Sequence, residues 1–270
     1  MSIALQVALV MVTILVVLLV IGAPIGVAIG MSSAVSMICM IPADVSFATS
    51  AQRIFAGSNS FSLIAIPFFI LAGNIMNNGG IATRLVNCAK VISGRMPGAL
   101  AQSNVVANML FGAISGSGAA AAAAMGGTIG PLEEKEGYDK NYSTAVNVAS
   151  APVGMLIPPS NTMIVYSSVA GSVSIAALFM AGYIPGLLWG GAVMILAGIM
   201  AKKRGYQAEQ RVPVKVALKT FWQAIPSLLL IVIVIGGILG GIFTATEGSA
   251  IAVVYATVLS LSLIHISEPT

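Results

Sequence analysis

Charge is what this sequence has least of. Only 7% of its 270 residues are Asp, Glu, Lys or Arg and 58% are hydrophobic, against roughly 25% charged in an ordinary soluble domain, so no soluble surface can be covered from this composition. The first 132 residues hold a single acid, Asp44, in a connector, and no Lys or Arg falls inside a long apolar run. That leaves no buried series of ionisable groups to relay protons. The one histidine, His265, lies near the C-terminus, and no pair of acids sits inside an apolar run, so acid–base catalysis has no visible machinery and no enzyme is expected. An intramembrane serine protease needs Gly two residues before its nucleophile, whereas Ala113 precedes Ser115 and Ser115 precedes Ser117. The two cysteines, Cys39 and Cys88, lack metal-type spacing and read as small apolar side chains. The formal net charge is +4, yet the basic residues occupy short connectors between apolar runs. This is the pattern of membrane topology signals rather than of a phosphate-binding face, and nucleic acid is not expected as a partner.

What the chain does have is apolar length. Residues 3–21 are apolar apart from Gln6 and Thr13, and roughly 20 such residues suit a hydrocarbon layer of about 30 Å. No basic residue precedes this run, and similar runs recur, so it reads as a span rather than a cleavable leader. Hydrophobic segments fall at about 3–41 (broken near Pro24), 61–78, 98–130, 142–168, 173–200, 223–241 and 246–264. Pro24 makes the first of these either one kinked helix or two shorter ones. Residues 81–93 read as an amphipathic helix along the interface, with Arg84, Asn87 and Lys90 on one side. Trp222 opens the 223–241 span, where an aromatic belt would place it. TATE at 244–247 fits a capping box, Thr244 as the cap and Glu247 reaching back.

Residues 98–130 do not behave as a span. Gln102, Ser103, Asn104 and Asn108 are followed by SGSG at 115–118 and then AAAAAAMGG. Two arms of about 15 residues, each reaching about 23 Å, are too short to cross, and two half-helices meeting at a Gly-Ser tip is the expected form. The basic connectors agree. Arg84, Lys90 and Arg95 share a face with Lys202, Lys203, Arg204, Arg211, Lys215 and Lys219 only if 98–130 is re-entrant. The hairpin should then open to the cytoplasm, with the acidic loop Glu133, Glu134, Lys135, Glu136 on that side.

Irregular backbone at membrane depth persists only where protein or a water-filled cavity satisfies it. The tip is one such place, and GMLIPPSNTM at 154–163, interrupted by Pro158 and Pro159, is the other. Carbonyl ends of broken helices, together with Ser115, Ser117, Ser160, Asn161 and Thr162 oxygens, suit a hard cation, while N–H ends suit a substrate carboxylate. Asn104 and Asn108 are taken with Ser117, Ser160 and Asn161 as substrate-side residues. Asn74 and Asn147 read as interhelical hydrogen-bond partners. The competing reading is that Gly, Ala and Ser simply let helices pack closely. The scarcity of buried charge favours coupling to sodium through neutral oxygens over coupling to protons.

IPFFILAGNIMNNGG at 66–80, FGAISGSGAAAAAAMG at 111–126, IPPSNTMIVYS at 157–167 and GGIFTATEGSAIAVVYA at 240–256, in that order, resemble the large membrane (M) subunit of the tripartite ATP-independent periplasmic (TRAP) transporters over nearly the whole chain. The resemblance implies an all-α polytopic membrane protein, half of an elevator-type, sodium-driven importer in the bacterial inner membrane. It implies a cargo of organic acids (C4-dicarboxylates, sialic acid, sugar or keto acids), a soluble periplasmic substrate-binding protein and a small four-helix membrane subunit (Q). It places a first sodium site on Ser115, Gly116, Ser117, Gly154, Pro158 and Ser160, with no other cofactor. The matching organisation is scaffold helices and interfacial helix at 1–97, hairpin plus broken helix at 98–168, a connecting span and basic segment at 169–222, and the start of a second repeat at 223–264. The stretch after the tip is Ala only, where members often carry Asp or Thr. Members also run further, and residues 265–270 are expected to be a truncated or non-native tail. A non-TRAP anion transporter and a non-transporting scaffold or channel are the alternatives.

Overall fold

The computed structural model describes residues 3–171, 173–206 and 213–267, with side chains as far as Leu263. Among the described residues every regular element is helical, and the chain packs as two units, Met1–Ser60 and Phe61–Thr270. Arg211, residues 268–270 and the side chains of 264–267, His265 included, lie outside the described residues.

The first unit holds α1 (Ile3–Val20), α2 (Ile25–Ile38) and α3 (Ala43–Ser58). Pro24 settles as the cap of α2, after a turn in which Gly22 takes φ +86, so the first apolar segment is two helices. Pro42 caps α3 in the same extended conformation. Each proline's fixed φ suits a helix start and breaks whatever precedes it. α1 packs along α2 but buries no side chain of its own. Its surface, apolar apart from Gln6 and Thr13, is what a lipid-facing helix requires. Ser46 ties α3 back, donating its hydroxyl to the Ala34 carbonyl at 2.7 Å.

The second unit begins with a 3₁₀ turn, Phe61–Ile64, that continues as α4 (Ala65–Asn78). Then come α5 (Ile81–Ser93), α6 (Ala99–Ser115), α7 (Gly118–Thr128), α8 (Gly130–Lys135), α9 (Lys140–Ser150), α10 (Val153–Leu156), α11 (Asn161–Ala170), α12 (Ile175–Arg204), α13 (Val214–Leu239) and α14 (Ala245–Ser267). Among the described residues five stretches are long and apolar enough to cross a membrane: α1, Phe61–Asn78, α12, α13 and α14. Counting α9 to α11 as one bent span makes six. The all-α polytopic expectation therefore holds.

The core of this unit forms where α4 runs along α14 and where α5 packs on α6 and α13. Phe69, Met76, Leu85, Phe111, Met125 and Leu230 are buried there. α5 has the bounds its pattern indicates, and its apolar residues Ile81, Leu85, Val86 and Ala89 are buried against protein. α13 begins at Val214, ahead of the expected 223, because nothing between Val214 and Trp222 breaks a helix; Lys215 and Lys219 ride on its first turns. The box at α14 is present, with the Thr244 N–H donating to Glu247 Oε2 at 2.8 Å and the Glu247 N–H to Thr244 Oγ1 at 3.3 Å.

α12 backs the region of interest. Gly182, Gly186 and Gly190 recur every four residues, hence on one face, and are buried. They meet Leu156, Ile157 and Met109 side by side, the close approach that small residues permit between membrane helices. Gln102 Nε2 and the Tyr142 hydroxyl donate to the α12 carbonyls of Met194 and Ala197, each at 2.8 Å. These bonds pin α6 and α9 to the same support.

Candidate functional site

α6 and α7 lie against one another as a hairpin whose turn is Gly116 and Ser117. The arms are unequal, 17 and 11 residues, or about 26 and 17 Å at 1.5 Å per residue. The turn is local chemistry. Gly116 ends α6 at φ +62, a left-handed conformation costly for a residue with Cβ. Ser117 then starts α7 by accepting the Ala120 N–H on its hydroxyl at 3.3 Å, a standard serine cap.

The second interruption follows α9. α10 is one turn, the Pro158–Pro159 peptide is cis, and Ser160 starts α11 by accepting the Met163 N–H at 3.4 Å while donating to the Met155 carbonyl. The axis bends by 47° between the two arms. Proline's missing N–H accounts for the gap in the helical ladder.

The two interruptions meet. The Asn161 N–H donates to the Gly116 carbonyl at 3.3 Å, and Asn161 Nδ2 donates to the Ser115 carbonyl at 3.4 Å. A methyl on Gly116 would stand 2.9 Å from the Pro159 carbonyl oxygen. One turn below, Gly112 and Gly154 touch backbone to backbone, and a Cβ on Gly154 would lie 2.7 Å from Gly112 Cα. α4 closes a further side, with Gly73 against Ser115. The junction thus gathers Ser115, Gly116, Ser117, Pro158, Ser160 and Asn161, with Gly154 just beneath. Ser115, Gly116, Pro158 and Ser160 are buried, while Ser117 and Asn161 are partly open. Two helix beginnings, of α7 and α11, and two helix ends, of α6 and α10, converge here. No Asp, Glu, Lys, Arg or His occurs between Ala99 and Leu132 or between Asn141 and Ala201. The polarity of the junction is that of hydroxyls, amides and backbone groups alone.

Asn104 and Asn108 lie further down α6, both fully buried. Asn108 Nδ2 lies within hydrogen-bond reach of Asn104 Oδ1 at 2.9 Å, Asn147 Oδ1 at 2.9 Å and Ser150 Oγ at 2.8 Å. Asn147 in turn donates to the Ala122 carbonyl on α7 at 2.9 Å. Asn147 is therefore the interhelical partner its position suggested, and Asn108 is the centre of the knot. Asn74 is exposed on α4, and its side chain makes no hydrogen bond among the described residues.

One polar residue escaped sequence reasoning. Glu133, expected with its neighbours in an acidic loop on the cytoplasmic face, is 1% exposed. Its helix, α8, folds under the hairpin base and against α9, and burial pushes its carboxyl up to about 7, with the Ser143 and Asn104 side chains pulling the other way. The signal available was weak: Glu133 directly follows Gly130, Pro131 and Leu132, so it sits on the first turn of a helix that leaves the hairpin. Beside it, Tyr138 and Tyr206 stack at 4.3 Å between ring centres, and the Arg204 guanidinium stands 5.4 Å over the Tyr142 ring.

Helices long and apolar enough to span, together with a hairpin that closes on a broken helix, are the framework of an all-α polytopic membrane protein. Residues 12–267 match the family described as the tripartite ATP-independent periplasmic transporter, DctM component, and the chain belongs to that family. It is 54% identical over 229 residues to protein YgiK of Salmonella typhimurium, covering 85% of this chain and 53% of that protein. It is 44% identical to the isethionate TRAP transporter permease protein DctMQ of Oleidesulfovibrio alaskensis, covering 77% of this chain and 33% of that one. It is 42% identical to the C4-dicarboxylate TRAP transporter large permease protein DctM of Vibrio cholerae, covering 79% and 47%. The chain spans about half the length, or less, of these curated relatives. The family is one of transporter permeases rather than enzymes, and its members are multi-pass proteins of the bacterial inner membrane.

Proposed function

We propose that the chain carries one hairpin-and-broken-helix half of a sodium-coupled permease that imports small organic acids delivered by a periplasmic binding protein. The observation that carries this reading is the convergence of four helix ends at a junction without ionisable side chains. Helix beginnings present N–H groups and partial positive charge, which suit an oxyanion. Helix ends and hydroxyls present oxygens, which suit a hard cation such as sodium. Ser115, Gly116, Ser117, Gly154, Pro158 and Ser160 are assigned to the cation, and Ser117, Ser160 and Asn161 face the anion. Asn104 and Asn108 continue the polar column below. Isethionate and C4-dicarboxylates, the compounds in the relatives' names, share a compact oxyanion head group. In this reading the hairpin enters the bilayer from the cytoplasmic side, the hairpin and broken helix move together as an elevator, and a small four-helix subunit supports them. The fused name of one relative, DctMQ, fits that partnership.

The test is uptake in a full-length permease carrying this sequence, reconstituted with its membrane and binding-protein partners. Ser117→Leu, on a partly open residue, should abolish sodium-dependent uptake while leaving insertion and yield unchanged. Uptake at the wild-type rate removes the tip from the site.

A further inference from the structure

A short strap lies across the base of the hairpin. α8 has six residues, Gly130–Lys135, well short of the roughly 12 at which an isolated helix begins to hold in water, so it depends on what it packs against. It is also jointed at both ends. A Cβ added at Gly127 or Gly130 would meet nothing within 4 Å, and Gly137 takes φ +77, so the joints are not braced by neighbours. Glu134 and Lys135 face outward, whereas Glu133 turns inward and is 1% exposed. Its carboxyl lies within reach of the Asn104 side chain on α6 and the Ser143 side chain on α9. One ionisable group thus fastens the strap to the hairpin's first arm and to the helix that follows.

Those two partners can serve either protonation state. A neutral acid accepts the Asn104 N–H and donates its own hydrogen to the Ser143 oxygen; a carboxylate accepts from both. Neither partner cancels a charge, and a buried charge is costly without a cation beside it. The only ion pair among the described residues is Arg204 with Asp139. Around Glu133 stand Glu134 on its own helix, Tyr138, Lys140 and Tyr142 at the start of α9, and Arg204 and Tyr206 at the end of α12. α6 and α7 carry no titratable group. Arg204 is engaged with Asp139 and the Tyr142 ring, and Lys140 is exposed. A cavity of about 330 Å³ opens beside the strap, lined among others by Glu134, Lys140 and Thr144. It offers a carboxylate that leaves its pocket both water and a cation.

Burial outweighs the two hydrogen bonds and holds the carboxyl at about 7, above its ordinary range. A group that keeps its proton to higher pH when docked than when free favours the docked form at low pH. Docking is therefore firmest below the free carboxyl's range and weakens as pH rises to about 7.

We propose that α8 is a proton-operated latch on the base of the hairpin. With Glu133 neutral, the strap lies closed against Asn104 and Ser143. On losing its proton to water, the carboxylate turns out into the cavity beside Lys140, and α8 swings on its glycine joints. The acidity of the surrounding solution then sets how firmly the hairpin base is held. The latch rests on the strap, its joints and its buried carboxyl, and it stands whether or not the tip binds sodium.

The experiment is amide hydrogen exchange of the detergent-purified full-length protein, read as protection factors so that the intrinsic pH dependence of exchange drops out, with α12 as internal reference. Between about pH 5.5 and about pH 8 the amides of 130–136 should lose about tenfold in protection while α12 keeps its own. Glu133→Gln, neutral at every pH, should stay protected throughout, and Glu134→Gln should respond as wild type does. Should Glu133→Gln fail to fold, Ser143→Ala carries the test: it removes a donor to the carboxylate, and the midpoint of the transition should move to higher pH. The latch is overturned if wild-type protection of 130–136 ignores pH, if Glu133→Gln responds as wild type does, or if Glu134→Gln abolishes the response. It is also overturned if Ser143→Ala leaves the midpoint in place or lowers it.

Discussion

At the tip of the hairpin, Ser115 to Gly118, the polar groups are neutral and nearly all are engaged: Ser117 and Ser160 cap helices, Asn161 bridges to Gly116 and Ser115, and no charge is present. At the base, around Asn104, a carboxyl group is buried within reach of the Asn104 and Ser143 side chains. The same helix, α6, runs through both places. The difference shows how one rigid rod serves two environments. Where the backbone itself is broken, its own carbonyls and N–H groups supply the polarity and side chains need only be small. Where the backbone is continuous, polarity has to come from side chains, and here it includes an ionisable carboxyl.

The comparison can be broken most severely at the glycine pair. Gly154→Leu would drive a side chain into the Gly112 backbone, where neither helix can yield without parting the tip from the broken stretch. A cost at the upper end of about 1–3 kcal/mol is expected, read as lost monodisperse protein and a lower melting temperature. Wild-type stability would mean that the hairpin does not rest on α10.

Midway between the two ends, Asn108→Leu removes the centre of the polar knot and strands Asn104 Oδ1 in a buried place. The expected loss is about 1–3 kcal/mol, measured by the same melting curve, with uptake by the full-length permease impaired less than by Ser117→Leu. If Asn108→Leu and Ser117→Leu reduce uptake equally, the two regions are one functional unit. At the tip itself, Asn161→Ala gives up a long side-chain bond of 3.4 Å and should cost only about 0.6 kcal/mol in stability, the average for polar contacts between membrane helices. Its effect on uptake should be much larger than that figure implies. Far from both, Thr244→Ala opens the exposed box at the start of α14. It should produce the smallest shift in melting temperature of the series and none in uptake.

Much of the tip was legible because its chemistry is local. Gly116 and Ser117 stop one helix and start another within two residues, and Pro158 and Pro159 interrupt another; both are written in single residues. The meeting of these two breaks was also expected, from the requirement that broken backbone find company. What could not be read was which partners meet. The Gly112–Gly154 contact joins residues 42 apart in sequence, and each glycine alone is one of 29. Pro24 left one kinked helix or two equally open, and the positive φ of Gly22 decided it. Glu133 was misplaced for a clear reason. Within Glu133, Glu134, Lys135, Glu136 nothing local separates the member that turns inward from those that do not. The choice is made by α9, whose Ser143 faces Glu133 from elsewhere in the chain.

The serines that start α7 and α11 carry one further implication. A hydroxyl has a single hydrogen and two lone pairs. Ser117 spends one lone pair on Ala120, and Ser160 spends one on Met163 and its hydrogen on Met155. Each oxygen therefore keeps one lone pair after its architectural duty is done. In the proposed site, a ligand on that lone pair would come and go without either helix having to fray.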